Sequence, residues 1–229
     1  MDTTEVTPRK PSKMRRFLRS YFGRAVIGLI LIFAISSWHL WQAFAEYQKE
    51  ERIAEKIWNA GGGVGRRGLI PAYRRIISVH LRDCKKPNGL PENVNELRHL
   101  QELNLTNYLV TDADLEHLRG LNQLEDLWLR GTQISDSGLE NLRGLTKLRR
   151  LDLSYTQISD AGLEHLKGMN ISELCLGETA AMEDVLGAVS EAALEHLKGM
   201  TNLKRLIFFN TPTNRAELQK ALPNCKISP

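Results

Sequence analysis

Cysteine is scarce in this chain: three in 229 residues, Cys84, Cys175 and Cys225. The number is odd, and none stands in a CxxC or Cys/His spacing, so the sequence carries neither a disulfide framework nor a zinc pattern. Catalytic patterning is missing as well. There is no G-K-[ST], no nucleophile elbow, no Ser/His/Asp set and no gathering of carboxylates. No enzymatic activity, metal, cofactor or small-molecule substrate is therefore expected. Net positive charge is absent from most of the chain, although the formal charge is +4. Residues 1–24 hold seven Lys/Arg and two acids, and the other 205 residues hold 24 basic and 25 acidic side chains. A body at −1 has no global field for phosphate backbones, and no nucleic-acid partner is expected.

Charge disappears entirely over residues 25–45, "AVIGLILIFAISSWHLWQAFA". About 20 residues of helix cross a bilayer's hydrocarbon core. Trp38, Trp41 and Tyr47 cluster at the far end, as interfacial rings do. The basic segment 1–24 then forms a cytoplasmic tail, and the body is placed across the membrane. The alternative is a signal peptide cleaved after Ala45, at the small-x-small run Ala43-Phe44-Ala45. Bulky Trp38 and Trp41 crowd that site, which favours an uncleaved signal anchor; both readings export the body. Residues 46–74 are expected as a stalk and a Gly-rich linker. Ile53 and Ile57 stand at i, i+4 in a helical pattern. "GVGRRG", 63–68, formally matches G-x-G-x-x-G. That motif needs a strand before it and a helix after it; here a helical pattern precedes and Pro71 follows, which predicts a flexible turn.

The rest of the chain repeats itself. "GTQISDSGLENLRG" begins at Gly131 and "YTQISDAGLEHLKG" at Tyr155, 24 residues on. Units begin at Pro91, Leu115, Leu139, Leu163 and Leu194. Leucines at 139, 142, 145 and 148 recur at the spacing of a helix face, and Leu151-Asp152-Leu153 has the period of a strand. Ser159-Asp160 predicts an N-cap with a negative first turn, and Gly120, Gly144, Gly168 and Gly199 predict helix stops. Each unit is apolar on one side only, so the units must stack into a solenoid with a continuous leucine core. Residues 75–90 read as an N-terminal cap strand, 91–217 as five repeats, and 218–229 as a C-terminal cap. The unit from Leu163 is irregular: one residue is missing between Asn170 and Leu174, and 180–187 are extra.

The pattern L-x-x-L-x-L-x-x-T-x-I-[ST]-D-x-G-L resembles a leucine-rich repeat. The 24-residue length and "TQISDAGL" are similar to bacterial N-terminally anchored or secreted leucine-rich-repeat proteins. Thr132, Thr156, Thr179 and Thr211 stand where many such families have Asn or Cys, and Tyr108 replaces them in the first unit. The resemblance covers about residues 75–229. It implies an α/β solenoid with parallel strands on a concave face and helices on the convex one, commonly used to bind proteins.

Side chains flanking the strand leucines point out of the core. The first row is His80, Asn104, Trp128, Asp152, Cys175 and Ile207. The second is Arg82, Thr106, Arg130, Ser154, Gly177 and Phe209. A third, before the strand leucine, includes Asp126, Arg150, Glu173 and Arg205. Large aromatics and Arg are the usual interface anchors. The candidate partner-binding set is thus Trp128, Arg130, Asn104, Asp152, Arg150, Ile207 and Phe209. His117, His165 and His196 share one repeat position and are expected to face solvent on the helix side, as consensus residues rather than metal ligands. Cys84 and Cys225 lie roughly 25 Å apart along the stack, too far for a disulfide, so free thiols or an intermolecular bond are expected. The function expected is a membrane-anchored module that binds a protein or peptide partner outside the cytoplasm. The alternative is a structural, scaffolding component of the cell envelope.

Overall fold

The computed structural model describes residues 13–68, 75–82, 89–179, 189–208 and 214–228, with side chains from residue 31 onward. The chain divides into two compact units, Met1–Glu46 and Tyr47–Pro229. Helix α1 runs over Lys13–Asn59. Its residues 31–44 expose Leu31, Ile32, Phe33, Ile35, Trp38, Leu40, Trp41 and Phe44. Among the described residues no helix is long and apolar enough to cross a membrane. The side chains of 25–30, the first six residues of the uncharged segment, lie outside that set.

The second unit is a solenoid built on one eight-stranded sheet, ordered β1 to β8 as in the sequence. Strand β1 (Gly63–Arg67) pairs antiparallel with β2 (Arg75–His80). From there every pairing is parallel: β3 (Glu102–Asn104), β4 (Asp126–Trp128), β5 (Arg150–Asp152), β6 (Glu173–Cys175), β7 (Arg205–Ile207) and β8 (Lys226–Ser228). Val79, Leu103, Leu127, Leu151, Leu174, Leu206 and Ile227 lie side by side across the ladder. All are buried, in one apolar cluster running from Ile53 to Ile227. The irregular unit keeps this register: Leu174 pairs with both Leu151 and Leu206. The insertion at 180–187 lies outside the described residues.

The helical side departs from a helix per unit. In the first three rungs, helix is reduced to a 3-10 turn at Glu92–Glu96, to α2 (Asp112–Leu115) followed by a 3-10 turn at Glu116–Leu118, and to α3 (Asp136–Leu139) followed by another at Glu140–Leu142. A strict leucine spacing of three is the 3-10 period and not the α period of 3.6. After the short α4 (Asp160–Glu164), α5 (Glu191–Lys198) and α6 (Arg215–Ala221) are helices of about two turns, and α6 closes the stack before β8.

The N-terminal end of the solenoid differs most from the stalk and flexible turn expected. Ile53, Ala54 and Ile57 of α1 are buried in the leucine cluster. Glu50, buried, accepts a hydrogen bond from the Ile76 N–H at 2.9 Å, and Glu51 pairs with Arg66 at 2.7 Å. Two glycines of "GGGVGRRG", Gly62 and Gly65, permit close approach. A Cβ on Gly62 would stand 2.6 Å from the His80 carbonyl oxygen, and one on Gly65 2.2 Å from the Ser78 Oγ. The G-x-G-x-x-G match is thus a strand edge against β2, and the helix end covers the first rung's apolar face as a solenoid terminus requires.

The repeat's polar signature staples the rungs together. The Asp112 carboxylate accepts from the backbone N–H of Ser135 at 2.7 Å and from the hydroxyls of Ser135 and Ser137 at 2.6 Å each. Asp136 does the same for the Ser159 N–H at 2.7 Å. The serines therefore bind the preceding rung; only Ser159 and Ser190 also cap their own helices. Glycine follows because the carboxylate sits against it: a Cβ on Gly162 would come within 2.2 Å of Asp136 Oδ1. The repeated threonines close the strand exits, Thr132 Oγ1 donating to the Leu129 carbonyl at 2.6 Å and Thr156 likewise to Leu153.

Candidate functional site

Each three-residue strand sets two side chains around one buried leucine, the first of them in the third row and the last in the first row. In the first row the ladder aligns His80, Asn104, Trp128, Asp152, Cys175 and Ile207. Asn104 and Asp152 spend one oxygen on the backbone: their Oδ1 atoms accept from the N–H groups of Thr106 and Ser154, both at 3.0 Å. These are Asx turns that fix the strand exit. Trp128, Cys175 and Ile207 are half-buried and have no such duty.

The second row is not uniformly outward. Thr106 and Ser154 are buried, and Ser154 Oγ accepts from the Gly177 N–H at 3.1 Å. The chain is already turning inward there, into a left-handed residue that recurs once per rung: Asn107 (φ 54), Gly131 (φ 67), Tyr155 (φ 57) and Glu178 (φ 51). Arg130 is long enough to leave this turn, and its guanidinium lies 4.9 Å from the Tyr155 ring centroid. Phe209 lies outside the described residues, as does Cys84.

In the third row Arg150 closes a two-pronged pair on the buried carboxylate of Asp126, while its carbon Cζ stands 6.0 Å from the Trp128 ring centroid. Glu173 and Arg205 pair at 3.4 Å. The structure thus brings Trp128, Arg130 and Arg150 into one patch with Tyr155 and sets Ile207 further along the same strand row. Tyr155 is 40% exposed and its hydroxyl meets Glu178 at 3.4 Å. A left-handed backbone costs a side-chain-bearing residue roughly 1–2 kcal/mol, and at this position the twin repeat carries glycine. Tyr155 was missing from the sequence-based set. Its signal was visible there, as the one difference between "GTQISD" and "YTQISD".

Neither cysteine of the described set is primed for chemistry. The Cys175 thiol is pushed up to about 12 by burial, with Asp152 and Glu173 adding to the effect. Burial also raises Cys225; both are free thiols. His117, His165 and His196 are half-buried rather than facing solvent, and among the described residues the sealed Nδ1 atoms of His165 and His196 meet no partner. Among the described residues no three His, Cys, Asp or Glu side chains gather as a metal site.

Residues 97–158 match the family model of the leucine rich repeat. The chain is similar to internalin C2 of Listeria monocytogenes, at 21% identity and a TM-score of 0.45 over 66% of this chain and 70% of that one. It is similar to internalin F of the same organism at 20% identity and 0.43, over 66% and 46%. A third similar structure is the leucine-rich-repeat ectodomain of the receptor kinase SOBIR1 from Arabidopsis thaliana, at 18% identity and 0.40, over 79% and 91%. No curated protein sequence matches significantly. The leucine-rich-repeat architecture is carried by the chain's own strand register and by the family match.

Proposed function

We propose that this protein is a membrane-anchored leucine-rich-repeat module of the bacterial 24-residue type, which holds a protein or peptide partner on its concave strand face outside the cytoplasm. The observation that carries the reading is the patch of Trp128, Arg130, Arg150 and Tyr155, two guanidiniums each set against an aromatic ring. Buried aromatics and Arg dominate binding energies at protein interfaces, and this patch has no packing duty in the leucine core. Anchoring rests on the uncharged 25–45 segment and its basic N-terminal flank. The ring of exposed apolar side chains on residues 31–44 supports it, because such a surface needs lipid or protein around it.

Detergent-solubilised full-length protein used as bait in envelope extracts tests the proposal, beside a Trp128→Ala, Arg130→Ala form. A discrete stoichiometric partner, captured by the first and lost by the second, is expected. Self-assembly without any partner would favour the scaffolding alternative. Topology is tested separately: with the inner membrane intact and the outer barrier opened, external protease should degrade the repeats. Protection there would put the body in the cytoplasm.

A further inference from the structure

We propose that the edge of the solenoid where each helical segment runs into the next strand, from the third rung onward, docks an acidic polypeptide segment of the partner. This rests on the partner reading above and supplies the partner's chemistry. The charge along that edge changes sign partway. In the first two rungs the segments are "NELRHLQE" (95–102) and "RGLNQLED" (119–126), with four acids against two bases. From the third rung they are "RGLTKLRR" (143–150), "KGMNISE" (167–173), "KGMTNLKR" (198–205) and "KALPNCK" (220–226), with ten Lys/Arg against a single acid, Glu173. Overall composition hides this, because the body as a whole is near neutral.

The cations of this stretch are exposed. Arg150 and Arg205 face Asp126 and Glu173, and Lys198 pairs with Glu195 at 2.5 Å. Among the described residues no ion pair ties Arg143, Arg149, Lys167, Lys204 or Lys226 to a carboxylate. A niche of about 380 Å³ opens between the third and fourth rungs. Its charged lining is Arg143 and Lys167, with Thr146 and Asn170 as further polar groups and Leu145 and Met169 as apolar ones. The Lys167 stem passes close over Gly199 of the next rung, where an added Cβ would meet its Cγ at 3.3 Å. The niche is suited to one carboxylate, and Arg149, Lys204 and Lys226 to others. The basic stretch spans strands β5 to β8, about 14 Å, the reach of four or five extended residues. A long polyanion running along the same edge would meet the acidic first rungs, whereas a short acidic segment ends before them. Arg150 joins the edge to Trp128, so one partner can engage both.

The test uses the full chain in detergent and a fluorescein-labelled peptide of about five glutamates, the length that the basic stretch accommodates, read by anisotropy at low ionic strength. Binding is expected, weakened about tenfold or more by Arg149→Glu with Lys204→Glu, and weakened by salt. Arg52→Glu with Arg98→Glu, the same charge change elsewhere, should leave affinity within about threefold. If circular dichroism shows the first pair unfolded, Arg149→Gln with Lys204→Gln replaces it. Trp128→Ala should barely affect the glutamate peptide. Peptide binding that is lost only with the edge variants therefore supports this inference even if the concave-face reading fails. Three results would overturn it: no peptide binding, equal loss with the control pair, or edge-dependent binding of phosphatidylglycerol vesicles without binding of the peptide.

Discussion

Gly162 and Gly144 occupy different places in the repeat, and the structure predicts opposite fates for the same substitution. A methyl group on Gly162 would meet the Asp136 carboxylate at 2.2 Å, while one on Gly144 has nothing within 4 Å and no left-handed backbone to strain. Gly162→Ala should cost about 1–3 kcal/mol, as overpacking does. Gly144→Ala should stay within about 0.5 kcal/mol, both by urea denaturation. Equal effects would mean that the inter-rung staple is absent. Cys175 makes a second residue-scale expectation. With its thiol held up at about 12, alkylation by iodoacetamide in the native state should be far slower than after denaturation. Rapid native labelling would contradict the burial of that side chain. The strand leucines were legible residue by residue, because a buried position alternating with a half-buried one leaves a period-two trace. Tyr155 was not recognised as a site residue, because spacing reveals which residues align but not which alignment position has left-handed φ.

The rung is the next scale, and its acid behaviour follows from the Asp staples. Burial alone would raise the carboxyl of Asp112. The hydroxyls of Ser135 and Ser137 and the N–H groups of Ser135 and Gly138 outweigh it and leave the group below its ordinary value. A depressed carboxylate contributes stability that is present above its unfolded value, near 4. That contribution is lost as pH falls through the folded value. The urea midpoint should therefore drop on acidification below about pH 4, and Asp112→Asn should show a smaller drop from a lower starting stability. An unchanged acid slope in that variant would remove Asp112 from the account. The serine and aspartate of "ISD" were legible as a helix start; their reach into the neighbouring rung was not, because a single unit does not contain its own partner. The same limit applies to β1 and the buried end of α1. Ile53 and Ile57 marked an apolar helix face, but only the exposed first rung, far along the chain, decides that the face is covered there. The 3-10 turns were hidden by reading a spacing of three as α-helical.

At the scale of the whole molecule, one leucine cluster runs from Ile53 to Ile227, so a break in the middle should be felt throughout. Leu151→Ala, in the central strand β5, should cost about 2–5 kcal/mol. A change below about 0.5 kcal/mol would mean that the strand register is wrong. The solenoid itself was the most legible feature, since repetition at fixed length states the fold many times over. The candidate site was legible only as a row of aligned positions: Trp128, Arg130 and Arg150 lie near one another with Tyr155, while Asn104 and Asp152 also hold their own turns. The central claim is that this concave face holds the partner. Its most direct measurement is the affinity of the captured partner for the full chain carrying Trp128→Ala with Arg130→Ala, beside His117→Ala with His165→Ala on the convex side. The first pair should weaken binding by about 2 kcal/mol or more, some thirtyfold, and the second should leave it nearly unchanged. Loss with the histidine pair, and none with Trp128 and Arg130, would place the binding surface on the convex side and contradict the account.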